Sequence, residues 1–469
     1  MVSGMMSNKP PAPSQQIPPI LTVDHQARLS GGNAGLRALI KQRLTLDNPK
    51  YRDARKYSRW VGKNLPPKLY FYQESGEALI FPRGWARQAV LLCRQEMGQT
   101  PEIIDRRREI APQEFAFQGE LRPYQHQARE AILGRDFGVL EAGTGSGKTV
   151  VACAVIAARQ QPTIVLVHTK ELLYQWSERI GEFLGLEAGL LGDGHRRLEP
   201  VTVAIVNSAR RMARELPPLF GQLCVDECHR VPSSLFTEVV TAFDCRYMLG
   251  LSATAYRRDG LTPLINFYLG DRVHRIDTGD LQRSGAVLKA RLIQRPTAFR
   301  YLYRGNYQAL MKALTADQKR NQLIAEDIAR EARATVGGNG ATETGTILVV
   351  SDRVRHCQEL ARLLEQRGVD CQILTGATPA EQRSELVAAI QEGRVRVLIS
   401  TVQLIGEGFD CPGLRSLFLT TPIKFTGRLL QVVGRILRPA AGKQPTVYDY
   451  VDQVGVLQSS ANSRALALQ

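Results

Sequence analysis

From residue 121 onward, short apolar runs alternate with stretches that mix apolar and polar positions in helical fashion. That is the pattern of a parallel sheet covered by helices on both faces. The apolar runs predict strands at 138–140, 163–167, 202–206, 223–225 and 247–250 in a first block. A second block has them at 347–350, 396–399, 416–419 and 446–448. Between the blocks, 285–299 reads as a hinge, and the glycine-rich stretch 336–345 as a loop feeding the second block. The longest apolar run, 150–158, predicts a buried helix and falls short of the roughly 20 residues that span a bilayer.

Ahead of residue 121 the pattern differs. Over 36–112 basic residues outnumber acidic ones and aromatics are interleaved among them, at Tyr51, Tyr57, Trp60, Phe71 and Trp85. Such residues either neutralise phosphates and stack on bases, or fill a small core with their cations turned outward. A stretch rich in Pro, Ser and Gln before it reads as a disordered tail without the pattern of a signal peptide. The expected organisation is a tail (1–34), a small α+β accessory domain (35–115), two α/β lobes (116–284 and 285–456) and a short tail (457–469). A chain of 469 residues suits two or three cores.

A formal charge of +16 predicts a positive surface field that favours polyanions and makes their binding salt-dependent. The eight cysteines form no CxxC pair and fit a reducing, cytoplasmic setting. Cys224, Cys228 and His229 lie close together, but Cys224 falls in an apolar strand and the others in a carboxylate motif, so zinc is not the favoured reading.

The chemistry lies in three stretches. AGTGSGKT (142–149) follows the strand ending at residue 140 and fits a phosphate-binding loop. Gly143, Gly145 and Gly147 let backbone amides of the loop, with Thr144 and Ser146 between them, approach phosphate oxygens. The helix that follows adds its dipole. Lys148 is the candidate counter-charge for the β and γ phosphates, and Thr149 the hydroxyl for Mg2+. About 80 residues on, an apolar strand delivers Asp226 and Glu227 at its carboxyl end, where open α/β sheets place ligands. Asp226 is expected to hold Mg2+ through water, and Glu227 to orient and deprotonate an attacking water. In the second block, QVVGRILR (431–438) sets Gln431, Gly434, Arg435 and Arg438 at helical spacing. Guanidinium groups supplied across a cleft make hydrolysis depend on closure and so convert it into movement.

With these elements in order, the chain resembles the superfamily 2 helicases, and more narrowly the XPB-like and UvsW-like DNA helicases, over residues 115–452. LRPYQ (121–125) looks like the family's Q motif, which implies that Gln125 reads an adenine edge with Arg122 nearby. VHTKELLYQW (167–176) is similar to motif Ia and NSARR (207–211) takes the place of motif Ib, implying backbone contacts by Thr169 and Arg210. SAT (252–254) matches motif III, in which Ser252 and Thr254 would couple the nucleotide site to the nucleic-acid track, with His229 bridging to them. RRD (257–259) stands where XPB-type proteins have RED, with Arg258 replacing the glutamate. LTG (374–376) and STVQLIGEGFDCP (400–412) resemble lobe 2 elements. They imply that Thr375, Gly376 and Thr401 touch nucleic acid and that Gly408 and Asp410 face the nucleotide.

The resemblance implies two RecA-like lobes with ATP and Mg2+ in the cleft between them. It implies 3′ to 5′ tracking on DNA, single-stranded, forked or branched, in a nucleoid-associated, cytoplasmic protein that does not enter a membrane. RNA is the alternative track, and a non-unwinding double-strand translocase within a repair or defence complex is the alternative motor. The form DECH, together with GEGFD, favours DNA.

Overall fold

The computed structural model describes residues 18–56, 60, 65–230, 234–253, 260–334, 345–406, 413–423, 429, 432–434, 436–437 and 443–468. The described residues form two α/β sheets, a smaller mixed sheet and a two-stranded pairing of Thr45–Asp47 with Lys68–Tyr70. The eight-stranded sheet of lobe 1 runs in the order 195–197, 189–192, 201–205, 163–167, 222–225, 247–252, 137–142, 272–276. All its neighbours are parallel except the hairpin pairing of Gly189–Gly192 with His195–Arg197.

The strand Thr163–Val167 shows why the apolar runs fold this way. Its five side chains are all buried. Val165 and Val167 pack with the helices Pro123–Leu133, Lys148–Arg159 and Lys170–Leu184 on one face. Ile164 and Leu166 pack with Ser234–Ala242 and Pro263–Leu269 on the other. A strand with helices on both faces reads as continuously apolar.

Lobe 2 repeats the plan with six parallel strands in the order 291–296, 446–451, 414–419, 346–351, 397–401, 372–374. Again Leu348 and Val350 belong to one core, Ile347 and Val349 to the other. Arg291–Pro296, inside the stretch read as a hinge, is the edge strand of this sheet. It escaped a reading from apolar runs because it is half polar, RLIQRP, as edge strands tend to be.

Two expected tails are built structure. Ile20–Val23 and Ala27–Ser30, within 1–34, pair antiparallel in the accessory sheet, whose order is 73–75, 78–81, 27–30, 20–23, 102–105. Their alternate residues Leu21, Val23, Ala27 and Leu29 fill its core. At the other end, Gly455–Leu468 is a helix whose Arg464 makes a 2.8 Å buried ion pair with Asp449.

The accessory domain has no separate core. Its apolar cluster includes Leu264 and Phe267 from the lobe 1 helix Pro263–Leu269, with Trp85 and Phe71 packed edge-on or tilted against Phe267. Gly84 approaches so closely that a Cβ there would lie 2.6 Å from the backbone of Tyr268 and Gly270. Phe71 and Trp85 are therefore core residues rather than base-stacking platforms. Trp60 is 86% exposed, Tyr51 is half-buried, and Tyr57 lies outside the described residues.

Candidate functional site

The lobe 1 sheet order determines what meets at its carboxyl edge. Phe137–Ala142 and Gln222–Val225 flank Tyr247–Ser252. The loop 143–147, the Asp226–Glu227 pair and Ser252 thus emerge side by side. Gly145 (φ 84°) and Gly147 (φ 76°) take left-handed backbone that other residues adopt at a cost. At Gly147 a Cβ would also lie 2.3 Å from Gln125 Nε2. Lys148 opens the following helix and donates from Nζ to the Ala142 carbonyl at 2.9 Å.

Gln125 departs from the expectation of an adenine reader. It is buried; its Nε2 donates to the Ser146 carbonyl at 3.0 Å and its Oε1 accepts from the Arg122 amide at 2.9 Å. Both ends of the amide are committed to backbone, so Gln125 braces the glycine loop. Arg122 is the N-cap of Pro123–Leu133.

Asp226 is held from two sides. Oδ2 accepts the indole N–H of buried Trp176 at 2.9 Å and Oδ1 accepts the Glu227 amide at 2.9 Å. Burial, and then the neighbouring Glu227 charge, push the Asp226 carboxyl above the usual carboxylate range. Glu227 goes the other way. Burial opposes its charge, but His229 and Lys148 outweigh that and hold it below the usual range. His229 Nδ1 lies 3.3 Å from Glu227 Oε2 and 3.2 Å from Ser252 Oγ. Glu227 also has φ 47°, a left-handed conformation that costs a non-glycine residue roughly 1–3 kcal/mol.

Lobe 2 reaches this loop. A Cβ on Gly434 would lie 2.6 Å from Thr144 Cβ, so the two elements touch closely enough that only glycine fits. Leu437 packs against the cores of both lobes and its carbonyl accepts the Leu288 amide at 2.8 Å. Gln431, Arg435, Arg438, Gly408, Asp410, Thr254 and the 257–259 element lie outside the described residues.

The residues expected to meet nucleic acid are placed as follows. Thr169 is the N-cap of Lys170–Leu184, its hydroxyl accepting from the Leu172 amide at 3.3 Å. Arg210 sits on the exposed end of Val206–Arg211 and pairs with Glu238 at 2.7 Å. Thr375 and Gly376 form the turn after Gln372–Leu374, where Arg383 donates to the Gly376 carbonyl at 3.1 Å. Arg383 also lies 3.8 Å from Glu171, on the helix that Thr169 caps. The motif Ia helix and the lobe 2 turn therefore face each other across the cleft. Thr401 ends Val397–Thr401.

Two features went unread. Trp176 closes the stretch similar to motif Ia, and only the fold aims its N–H at Asp226. The contact of Gly434 with Thr144 joins residues 290 positions apart and leaves no local signal. Cys224 and Cys228 are both buried thiols, and no group of three or more His, Cys, Asp or Glu with metal-holding geometry occurs among the described residues. No helix among the described residues is long and apolar enough to cross a membrane.

Comparison with known proteins agrees with this geometry. Residues 118–257 match the family described as type III restriction enzyme, res subunit, and residues 330–440 the helicase conserved C-terminal domain. D10 of Escherichia phage T5, a protein named as a helicase, is 27% identical over 332 residues, covering 70% of each chain. The DNA 3′-5′ translocase XPB2 of Sulfurisphaera tokodaii is 26% identical over 347 residues, 68% of this chain and 79% of its own. Among solved structures, the Hef helicase domain of Pyrococcus furiosus shares the fold, with a TM-score of 0.51 at 12% identity over 74% of this chain and 98% of that one. The two RecA-like lobes, the loop between them and these matches lead to one assignment: the chain belongs to the superfamily 2 helicases and is similar to their XPB-like and UvsW-like members.

Proposed function

We propose that the protein is an ATP-dependent DNA helicase or translocase that couples hydrolysis at the 143–149 loop to movement of lobe 2 against lobe 1. The observation that carries this reading is the seating of Gly434 of lobe 2 on Thr144 of the phosphate loop, next to an Asp–Glu pair at the carboxyl edge of the same sheet. A loop that only bound nucleotide would need no second lobe upon it.

The residues suit the steps. The amides of Gly143 to Gly147 and the Lys148 ammonium receive the phosphates. Thr149 and Asp226 would hold Mg2+, one through a hydroxyl and the other through a buried carboxylate, hard oxygen donors of the kind that ion takes. Bound there, Mg2+ neutralises charge developing on the phosphates. Glu227, kept ionised by His229 and Lys148, accepts the proton of the attacking water. His229 in turn touches Ser252, so the base is tied to motif III. Arg435 and Arg438 are assigned as the trans-cleft fingers from their sequence position after Gly434.

DNA as the track is supported by the charge of +16 and by likeness to a translocase named for DNA. The test is an ATPase assay with single-stranded DNA, duplex, fork, four-way junction and RNA as activators, followed by strand separation on the best one. Stimulation by forked or single-stranded DNA with unwinding from a 3′ tail is expected. Stimulation by RNA alone overturns the DNA assignment, and stimulation without strand separation on any substrate reduces the motor to a translocase.

A further inference from the structure

The accessory strand Lys68–Tyr70 is followed directly by Phe71 and Tyr72. Phe71 is tilted against Phe267, both Phe71 and Tyr72 pack on the accessory core, and Tyr70 and Tyr72 meet edge to face at 5.9 Å between ring centroids. They line a cleft of about 320 Å³ where the accessory sheet meets lobe 1, closed by His25, Gln73, Thr241 and Tyr268. That is the low end of small-ligand pockets, which run from roughly 300 to 1,000 Å³. It suits one flat heterocycle and excludes a duplex. Aromatic rings stand beside two amides, a hydroxyl and the His25 imidazole, which lies 3.0 Å from the Asp24 carboxylate, and no Asp or Glu is among the described residues that line the cleft. The one charged lining residue, Arg83, is buried at its floor and donates to the Cys245 carbonyl at 2.6 Å. The cleft floor thus holds a buried cation whose N–H groups are engaged by the Cys245 and Asp24 carbonyls and the Cys245 thiol.

A second observation points to the same occupant. Tyr70 pairs with Thr45 and Lys68 with Asp47, directly before the helix Pro49–Lys56. Lys50, Arg52, Arg55 and Lys56 stand on that helix against a single acid, Asp53, and no residue of it is buried. Three strand residues span about 10 Å, so a cationic rail begins roughly one or two nucleotides from the cleft.

We propose that this cleft holds one unstacked nucleobase of a DNA strand whose phosphates run along Pro49–Lys56. The assignment rests on the reading of the protein as a DNA motor. Its consequence is that the accessory domain grips an unpaired position, such as a flipped, bulged or junction base, rather than duplex in general.

The test uses the full chain and oligonucleotides carrying 2-aminopurine at one unpaired site, in deoxy and ribo forms. Stacking on tyrosine is expected to quench the probe. Tyr70→Ala removes the platform from a side chain that is 61% exposed, so folding should survive. It is expected to abolish the quench and weaken binding by about 5- to 150-fold, the range for loss of one stacked base. Tyr70→Phe should restore both. Because no phosphate contact is removed, the salt dependence of binding should keep its slope in Tyr70→Ala, while Lys50→Glu with Arg55→Glu should flatten it. Unquenched probe, or unchanged affinity in Tyr70→Ala, with DNA still bound and still activating hydrolysis, overturns the cleft and leaves the motor reading standing. Failure of the unsubstituted protein to bind any of the oligonucleotides overturns the motor reading itself. A quench with the ribo probe alone overturns DNA as the occupant.

Discussion

The bond from Trp176 to Asp226 ties the motif Ia helix to the metal side of the proposed hydrolysis site, and its loss has a calculable effect. Trp176→Phe keeps a flat ring in the buried site and deletes the N–H that donates to Asp226 Oδ2 at 2.9 Å. A hydrogen bond to a charged acceptor is worth about 1.5–3 kcal/mol. The ionised form of Asp226 therefore loses about 10- to 150-fold relative to the protonated form. Burial and Glu227 already hold this carboxyl above the usual range, and the Trp176 bond works against them. Removing the bond moves the carboxyl further upward. Since Mg2+ binds the ionised carboxylate, proton and metal compete. Starting from a carboxyl raised to about 6, the variant should need about 2- to 15-fold more Mg2+ for half-maximal hydrolysis near neutral pH. Its acid limb should lie at higher pH than that of the unsubstituted protein, and the deficit should close as pH rises. A merely structural role would lower activity at every pH and metal concentration alike. Steady-state ATPase over a grid of pH and Mg2+ separates the two. An unchanged Mg2+ requirement across that grid, with the fold intact by circular dichroism, refutes the positioning role of Trp176.

Other substitutions probe the remaining parts. Lys148→Ala or Glu227→Gln should abolish hydrolysis and leave DNA binding largely in place, and normal turnover in either sinks the site assignment. Gly434→Ala places a methyl 2.6 Å from Thr144 Cβ and should cut turnover by about tenfold, the effect of a small misplacement at a reacting centre being larger still. Pairing it with Thr144→Gly should restore part of the loss, and no restoration in the double variant argues against the contact. Arg435→Ala or Arg438→Ala should lower hydrolysis by roughly a thousandfold or more if these arginines act as fingers. Gly84→Ala drives a methyl into the Tyr268–Gly270 backbone and should cost ~1–3 kcal/mol, read as a lower thermal midpoint. An unchanged midpoint would mean that the accessory domain is not seated on lobe 1 as described.

The central strands were legible because burial on both faces writes an unbroken apolar run. Thr163–Val167 was read to the residue, and Gln222–Val225 and Tyr247–Ser252 within one or two. Edge strands were not. Arg272–Ile276 carries Arg272, His274 and Arg275, and a polar edge resembles a loop when only composition is visible. Ile20–Val23 and Ala27–Ser30 show period-two alternation over only four residues each, too short to stand out beside a Pro-rich stretch. At the candidate site, Lys148, Asp226 and Glu227 were singled out by local spacing and Ser252 by resemblance, and the sheet order brings all four to one edge. What escaped depends on distance in sequence: Trp176 reaches Asp226 across 50 residues, and Gln125 reaches the Ser146 carbonyl across 21. Thr169 has the opposite history, since a hydroxyl expected to meet a phosphate is engaged as a helix cap.

The shared core of the accessory sheet and the helix Pro263–Leu269 redefines what a minimal version of this protein is. Cutting the chain before the glycine-loop domain would not release a self-contained pair of lobes. It would strip Phe71, Phe81 and Trp85 from Leu264 and Phe267 and leave a bare aromatic face on lobe 1, of the kind that drives association. The described residues from 18 to 105 are in that sense a third layer of lobe 1, and whatever they hold is carried as fixed cargo by one of the two lobes.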